Sequence, residues 1–402
     1  MTASPPPYNF ASTSRLCDAP LYSAQPAKDE CILEHSPSSA RPRPTGTYTR
    51  TERFMNLTLK EQAAGAAMPA YGRHGLVKGE LAFARPQDIL SVEIKIEGEV
   101  VMMLGRIGRP APQTFLDVKR KLWAPASAAA PQSACPAVLA FDIKLPATFR
   151  GREAKAYPLP PTCEMAFDSS TISCRYSLKI AVTSASRFVK KRKSSTVAFS
   201  YEPRTPLPTP PLPPGTTFLA SLLVAPEAWF DVPATVQVKP KSGVAPIKCH
   251  LYIPSDQVYS AAAPIPFHLE LTAPSASLRA LYHSQATSTS KKAPVRVSVV
   301  RHVHANCYGT KIQHALVVGE SALHALPPPP PVLEGKRDAG REDVLRWDGV
   351  LALGAQAAVG GFAVGDILSI KDFIVLEVAP PGARSAPLVE LVHKHPIRLV
   401  AE

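Results

Sequence analysis

The sequence predicts an all-β protein built from two layered sandwiches, and three observations carry that expectation. Apolar side chains recur at every second residue in short runs, which puts one face of an extended strand inside and the other in water. Prolines outnumber glycines by 44 to 21, a composition hostile to long helices. Tyr201 to Pro214, reading YEPRTPLPTPPLPP, places seven prolines among the twelve residues 203–214. Neither a helix nor a central strand can cross such a stretch, so a stiff polyproline spacer is expected to separate a pair of folded bodies.

Taken in order, residues 1–47 read as a disordered tail rich in Ser, Pro, Ala and Thr, with too little apolar surface to offset the entropy of ordering it. Within it, Pro5-Pro6-Pro7-Tyr8 satisfies the PPxY pattern. An extended proline pair is already in polyproline II form, and it presents its rings, with a tyrosine two residues on, to an aromatic groove of the WW-domain kind. Pro5, Pro6 and Tyr8 are therefore the candidate WW ligand.

Residues 48–201 make the first sandwich. Phe54, Leu57 and Leu59 open a short strand, and Leu90, Val92, Ile94 and Ile96 alternate with polar residues up to Gly98. The alternation returns at Leu139 to Leu145 and at Cys174 to Val182. After the hinge at 202–215, residues 216–402 repeat the grammar: Leu251 to Ile253, Ile265 to Leu271, and Val295 to Val299 leading into Arg301. A long loop is expected around Pro327 to Pro331. Phe373 to Val378 and Leu388 to Val392 form a last pair, closed by Pro396 to Val400. Many short strands split by turn residues, without βαβ spacing, give the two-sandwich reading.

Composition narrows the function. No apolar run follows Met1, so no signal peptide is expected. Val350 to Leu368 is the most apolar stretch, but its Gln356, Asp366 and glycines suit a small-residue β loop better than a membrane span. Seven scattered cysteines without CxxC spacing fit reduced thiols of the cytosol. The net charge of +13 points to an anionic partner. Its densest cluster is Arg187, Lys190, Lys191, Arg192 and Lys193, read as a hairpin loop, with a smaller one at Lys119 to Lys121. Such a loop suits anionic lipid head groups, a nuclear address, or an acidic or phosphorylated cargo tail. A nucleic-acid binder would interleave aromatic residues with the charge, and only Phe188 lies in the cluster, so nucleic acid is disfavoured.

No phosphate loop, HExxH, GxSxG elbow or GxGxxG motif is present. His302-x-His304 and His393-x-His395 put imidazoles on one strand face but lack a third ligand nearby. The reading is a non-enzyme without metal or cofactor.

Several stretches carry a resemblance. Tyr71-Gly72-Arg73, Ser91 to Gly98, Pro158 to Pro161 ahead of Ile172 to Thr183, and Tyr201-Glu202-Pro203-Arg204 resemble the amino half of a fungal arrestin-like protein. Tyr252-Ile253-Pro254, Ile265 to Leu269, Trp347-Asp348-Gly349, Ile370 to Leu376 and His393 to Val400 resemble its carboxyl half. The resemblance implies an arrestin fold, two immunoglobulin-like β-sandwiches in tandem, and the work of an arrestin-related trafficking adaptor. Such adaptors sit in the cytoplasm at the plasma membrane or endosomes and link transporter or receptor tails to a HECT-type ubiquitin ligase whose WW domains read PPxY. In the family that peptide often lies after the second domain, whereas here it precedes the first. A retromer-type sorting subunit would share the fold and need no ligase.

Overall fold

Pairing follows the period-two pattern, and almost all of it is antiparallel. The computed structural model describes residues 44–401 apart from 106–108, 126–133, 152–153, 187–188, 208–217, 283–292, 327–341, 358–359 and 381–385. Residues 1–43 of the proposed tail, with Pro5, Pro6 and Tyr8, lie outside the described residues, as do most of the proline-rich stretch 202–215 and Pro327 to Pro331, and the expected tail end at 47 is corrected, because β1 already begins at Gly46.

Before the hinge come β1 (Gly46–Glu52), β2 (Met55–Gln62), β3 (Ala70–Tyr71), β4 (Leu76–Ala82), β5 (Ile89–Leu104), β6 (Ala111–Trp123), β7 (Val138–Lys144), β8 (Thr148–Arg150), β9 (Ala156–Pro158), β10 (Cys163–Phe167), β11 (Ser170–Ser186) and β12 (Val189–Tyr201). One sheet runs β1-β2-β4-β7 and a second β3-β12-β11-β5-β6, with β10 added to β11; β8 and β9 pair by themselves. Both sheets feed one core: Leu57, Leu59, Val77 and Ile143 come from the first, Ile94, Ile96, Leu178 and Phe199 from the second.

After the hinge come β13 (Trp229–Val236), β14 (Ile247–Pro254), β15 (Val258–Ser260), β16 (Ile265–Pro274), β17 (Val295–Cys307), β18 (Thr310–Ala325), β19 (Glu342–Leu353), β20 (Ala363–Val364), β21 (Leu368–Val378) and β22 (Leu391–Val400). They join in the order β13-β14-β16-β19-β18-β17-β21-β22-β15, with β20 on β21, around a second core that includes Leu251, Phe267, Val297, Val299, Ile374 and Leu376. The only parallel pairs among the described strands are the short ones of β3 with β12 and of β15 with β22. Among the described residues two short α-helices accompany the strands, α1 (Phe218–Val224) and α2 (Ser275–Tyr282).

Three expectations need correction. The strand read as ending at Gly98 continues to Leu104. Gly98 is a packing position there: a Cβ would stand 2.7 Å from the Phe115 ring, and the register with β6 shifts just beyond it. Second, strands β18 and β19, on either side of the expected loop around Pro327 to Pro331, are not among the strands read from the alternation. A two-residue turn, Tyr308-Gly309 with φ of +48° and +94°, joins β17 to β18, the positive φ pair that a tight hairpin requires. Third, the last strand runs through Pro396 as far as Val400, and Leu388 makes only an isolated bridge to Val238.

The described residues among 350–368 form strand ends and a 3₁₀ turn, as expected of a β loop. No helix among the described residues is long and apolar enough to cross a membrane.

Candidate functional site

Strands β17 and β21 each bury one end in each core, and this shared pair creates the junction where the candidate site lies. Val295, Val297 and Val299 with Ile374, Leu376 and Val378 belong to the second core; Val303, Ala305 and Cys307 with Leu368 and Ile370 belong to the first. Arg301 and Asp372 stand directly opposite each other at the changeover. Their side chains are 2% and 0% exposed, and the contact is bidentate, Nε to Oδ1 at 2.7 Å and Nη2 to Oδ2 at 3.1 Å. Gln113 Nε2 donates to the Asn306 carbonyl at 3.1 Å and the Tyr308 hydroxyl to that of Pro112 at 3.1 Å. His314 stacks on Phe167 with ring centroids 3.9 Å apart. Polar and aromatic contacts thus hold the joint on several sides.

A cleft of 480 Å³ opens beside this joint. Arg73, His74, Arg204 and Arg398 line it, against the one carboxylate among the described lining residues, that of Glu202. Its walls are fixed through the backbone: Thr205 N–H donates to Ala401 O at 2.9 Å, Glu202 N–H to Tyr71 O at 2.8 Å, and Thr162 N–H to Tyr201 O at 2.9 Å. Burial pushes the Tyr201 hydroxyl pKa up, with the Arg73 charge opposing, so the phenol stays a neutral donor. The set offers guanidinium groups to an anionic, extended ligand. Four separated stretches that carry the arrestin-like resemblance supply lining residues here: Tyr71 to Arg73, Pro158 to Pro161, Tyr201 to Arg204, and His393 to Val400.

The basic run is placed differently from its reading as a loop. Lys190, Lys191, Arg192 and Lys193 belong to β12 and pair in register with Ala185, Ser184, Thr183 and Val182 of β11. Arg187 lies outside the described residues. The run extends as a strand because Val182, Thr183 and Val189 favour one, and charge on a sheet edge is tolerated where it deters pairing with another chain. The four side chains are exposed. Arg192 Nη2 lies 3.5 Å from Glu93 Oε2, and Lys193 Nζ lies 5.5 Å from the Phe54 ring centroid. Further across the same sheet, Lys95 Nζ reaches Glu97 at 2.6 Å and Asp117 at 3.1 Å, Lys179 pairs with Glu97, and Lys119 with Asp117. Much of the positive charge on that sheet is therefore balanced locally.

His302 and His304 have ring centroids 6.2 Å apart, and Lys394 Nζ stands 3.3 Å from His302 Nε2. Burial, then Lys394 and His304, lower the His302 pKa. His395 instead contacts Gln257 Oε1 at 3.0 Å and packs against Phe230. Among the described residues no three His, Cys, Asp or Glu side chains gather as a metal-binding group.

A second buried network had no counterpart in the sequence reading. His268, wholly buried, places Nδ1 2.6 Å from Asp348 Oδ1 and Nε2 3.5 Å from Glu270 Oε1, beneath the Phe218 ring of α1 at 4.1 Å. His268 and Arg346, whose Nε makes the closer contact at 2.6 Å, hold the Glu270 carboxyl at about 2 against the opposing effect of burial. A depressed carboxyl pKa adds stability above its ordinary value near 4.5, and the gain fades as pH falls from 4.5 toward 2. Urea midpoints of the parent and Glu270→Gln should thus differ by an equivalent of about 3 kcal/mol near neutrality and converge only as pH approaches about 2. A gap independent of pH would show that the carboxylate charge contributes nothing.

The chain matches no family model and no curated protein sequence. The expectation of an arrestin-like protein therefore rests on sequence stretches alone, four of which supply lining residues of the cleft.

Proposed function

We propose that this protein is a non-catalytic arrestin-like adaptor that holds the cytoplasmic tail of a membrane transporter or receptor and delivers it to a WW-domain HECT ubiquitin ligase for endocytosis and sorting. In this reading the two cores are tandem immunoglobulin-like sandwiches, and the arginine-lined cleft at their joint receives an acidic or phosphorylated tail. The carrying observation is the convergence of Arg73, Arg204 and Arg398 on that cleft from three stretches that resemble the family. Pro5, Pro6 and Tyr8 supply the ligase arm, and the exposed Lys190 to Lys193 strand favours an anionic membrane surface. Tethering ligase and cargo to one chain makes ubiquitin transfer effectively intramolecular, so each contact can be modest.

The ligase arm is tested with the full chain against a WW-domain array. Parent protein is retained and Tyr8→Ala falls at least tenfold, because the tyrosine pocket is left empty. Equal retention of the two proteins removes this arm.

A further inference from the structure

We propose that Cys163 and Cys174 form a site of reversible oxidation, closing a cross-strand disulfide between β10 and β11 in response to a peroxide. The two residues are direct partners in the antiparallel register, so their side chains leave the same face of the sheet, and both sit in the first core as free thiols. Directly opposed antiparallel residues hold their Cα atoms about 4.5–5.5 Å apart, within the roughly 4.4–6.8 Å that a disulfide spans. Their Cβ atoms, about 4.5–5.5 Å apart in such pairs, must close toward about 3.8 Å. Oxidation therefore draws β10 onto β11.

The two sulfurs already interact. The neighbouring Cys174 thiol holds the Cys163 pKa below the ordinary cysteine value; burial opposes this, and the Arg301 charge acts in the same direction as Cys174. Cys174 is pushed well up by the same contact and by burial, so it keeps its proton. One thiol is thus the nucleophile and the other the resolving partner. Access comes through β10, a five-residue strand that pairs only with β11 and begins at Cys163 itself.

The chemistry balances as two steps. The Cys163 thiolate attacks one oxygen of hydrogen peroxide, the O–O bond breaks, and with one proton taken up the products are the Cys163 sulfenic acid and water. The Cys174 sulfur then attacks the Cys163 sulfur, the S–O bond breaks, and the hydroxyl leaves with the thiol proton as a second water. Two electrons pass from the thiols to the peroxide, and a small-molecule dithiol returns them.

The test uses the reduced full chain, treated with hydrogen peroxide, unfolded, alkylated and digested with trypsin. No Lys or Arg lies between the two cysteines, so both fall in the single peptide 156–175. The expected result is that this peptide escapes alkylation, is lighter by two hydrogens, stays joined after chymotryptic cleavage beyond Phe167, and regains both thiols with dithiothreitol. Cys249, buried with its thiol pushed up to about 12 and no opposed cysteine, should remain alkylatable as the internal control. Alkylation of both Cys163 and Cys174 at a peroxide dose that oxidises other cysteines, or a bond from either to Cys17 or Cys31, overturns the proposal. Cys174→Ser adds a second readout: Cys163 then accumulates as a sulfenic acid trapped by dimedone, and the absence of that adduct counts against Cys163 as the nucleophile. The mapping on unaltered protein does not depend on how the variant folds.

Discussion

Asp372→Ala should lower the free energy of unfolding by about 3–5 kcal/mol, because it takes the carboxylate from a guanidinium that is 2% exposed. The loss is the cost of a charge held out of water without this counter-ion, and it exceeds what the intact pair contributes over two apolar residues. Hence Arg301→Met with Asp372→Leu should recover most of it. Because the pair marks the changeover between two cores on β17 and β21, hydrogen exchange should rise first at the centre of those strands in the single variant. Urea titrations placing Asp372→Ala within about 1 kcal/mol of the parent would mean that water reaches the pair.

The second large effect concerns Phe267, which lies directly opposite Gly349 in the β16–β19 register with its ring in the space a Cβ would occupy. Phe267→Ala should cost about 3–5 kcal/mol, the sum of lost transfer energy and a cavity in the second core. Gly349→Ala alone pushes the ring aside and should cost about 1–3 kcal/mol. The two are coupled: with the ring gone, the added methyl meets open space. In a double-mutant cycle Gly349→Ala should be far less costly on the Phe267→Ala background, and strict additivity would contradict the packing described.

These residues also show what the sequence made legible. The period-two pattern located β5, β7, β11, β14, β16, β17 and β21 because each has one apolar face, a property of side-chain order alone. Arg301 and Asp372 were visible in principle: each occupies an inward phase, between Val299 and Val303 and between Ile370 and Ile374. A charge at such a position in two strands is a signal of mutual pairing that alternation alone passes over. Strand β18 was hidden because polarity does not follow its alternating burial: His314 and Ser321 take half-buried positions while Ala315, Val317 and Ala322 are exposed, so no clean apolar face stands out. The cleft could not be read from spacing, since Arg73, Arg204 and Arg398 come from remote regions of the chain. The opposition of Cys163 and Cys174 depends on the turn that sets the β10–β11 register, and their separation in sequence does not reveal it.

The same logic explains why Lys190 to Lys193 became strand. Five basic residues in the seven positions 187–193 suggest a solvated turn, but a lysine or arginine stem lies along a sheet as easily as it enters solvent. On an edge strand with a short partner at one end only, the charge has room on the open side.

The most direct measurement is a bridging experiment in which the full chain is offered both a HECT-ligase WW-domain array and the immobilised, phosphorylated cytoplasmic tail of a membrane transporter. The adaptor account predicts that the parent protein brings the WW domains to the tail. Tyr8→Ala should keep the tail and lose the WW domains, while Arg204→Glu with Arg398→Glu should keep the WW domains and lose the tail. WW domains and tail that bind all three proteins alike, or neither binding the parent, would contradict it.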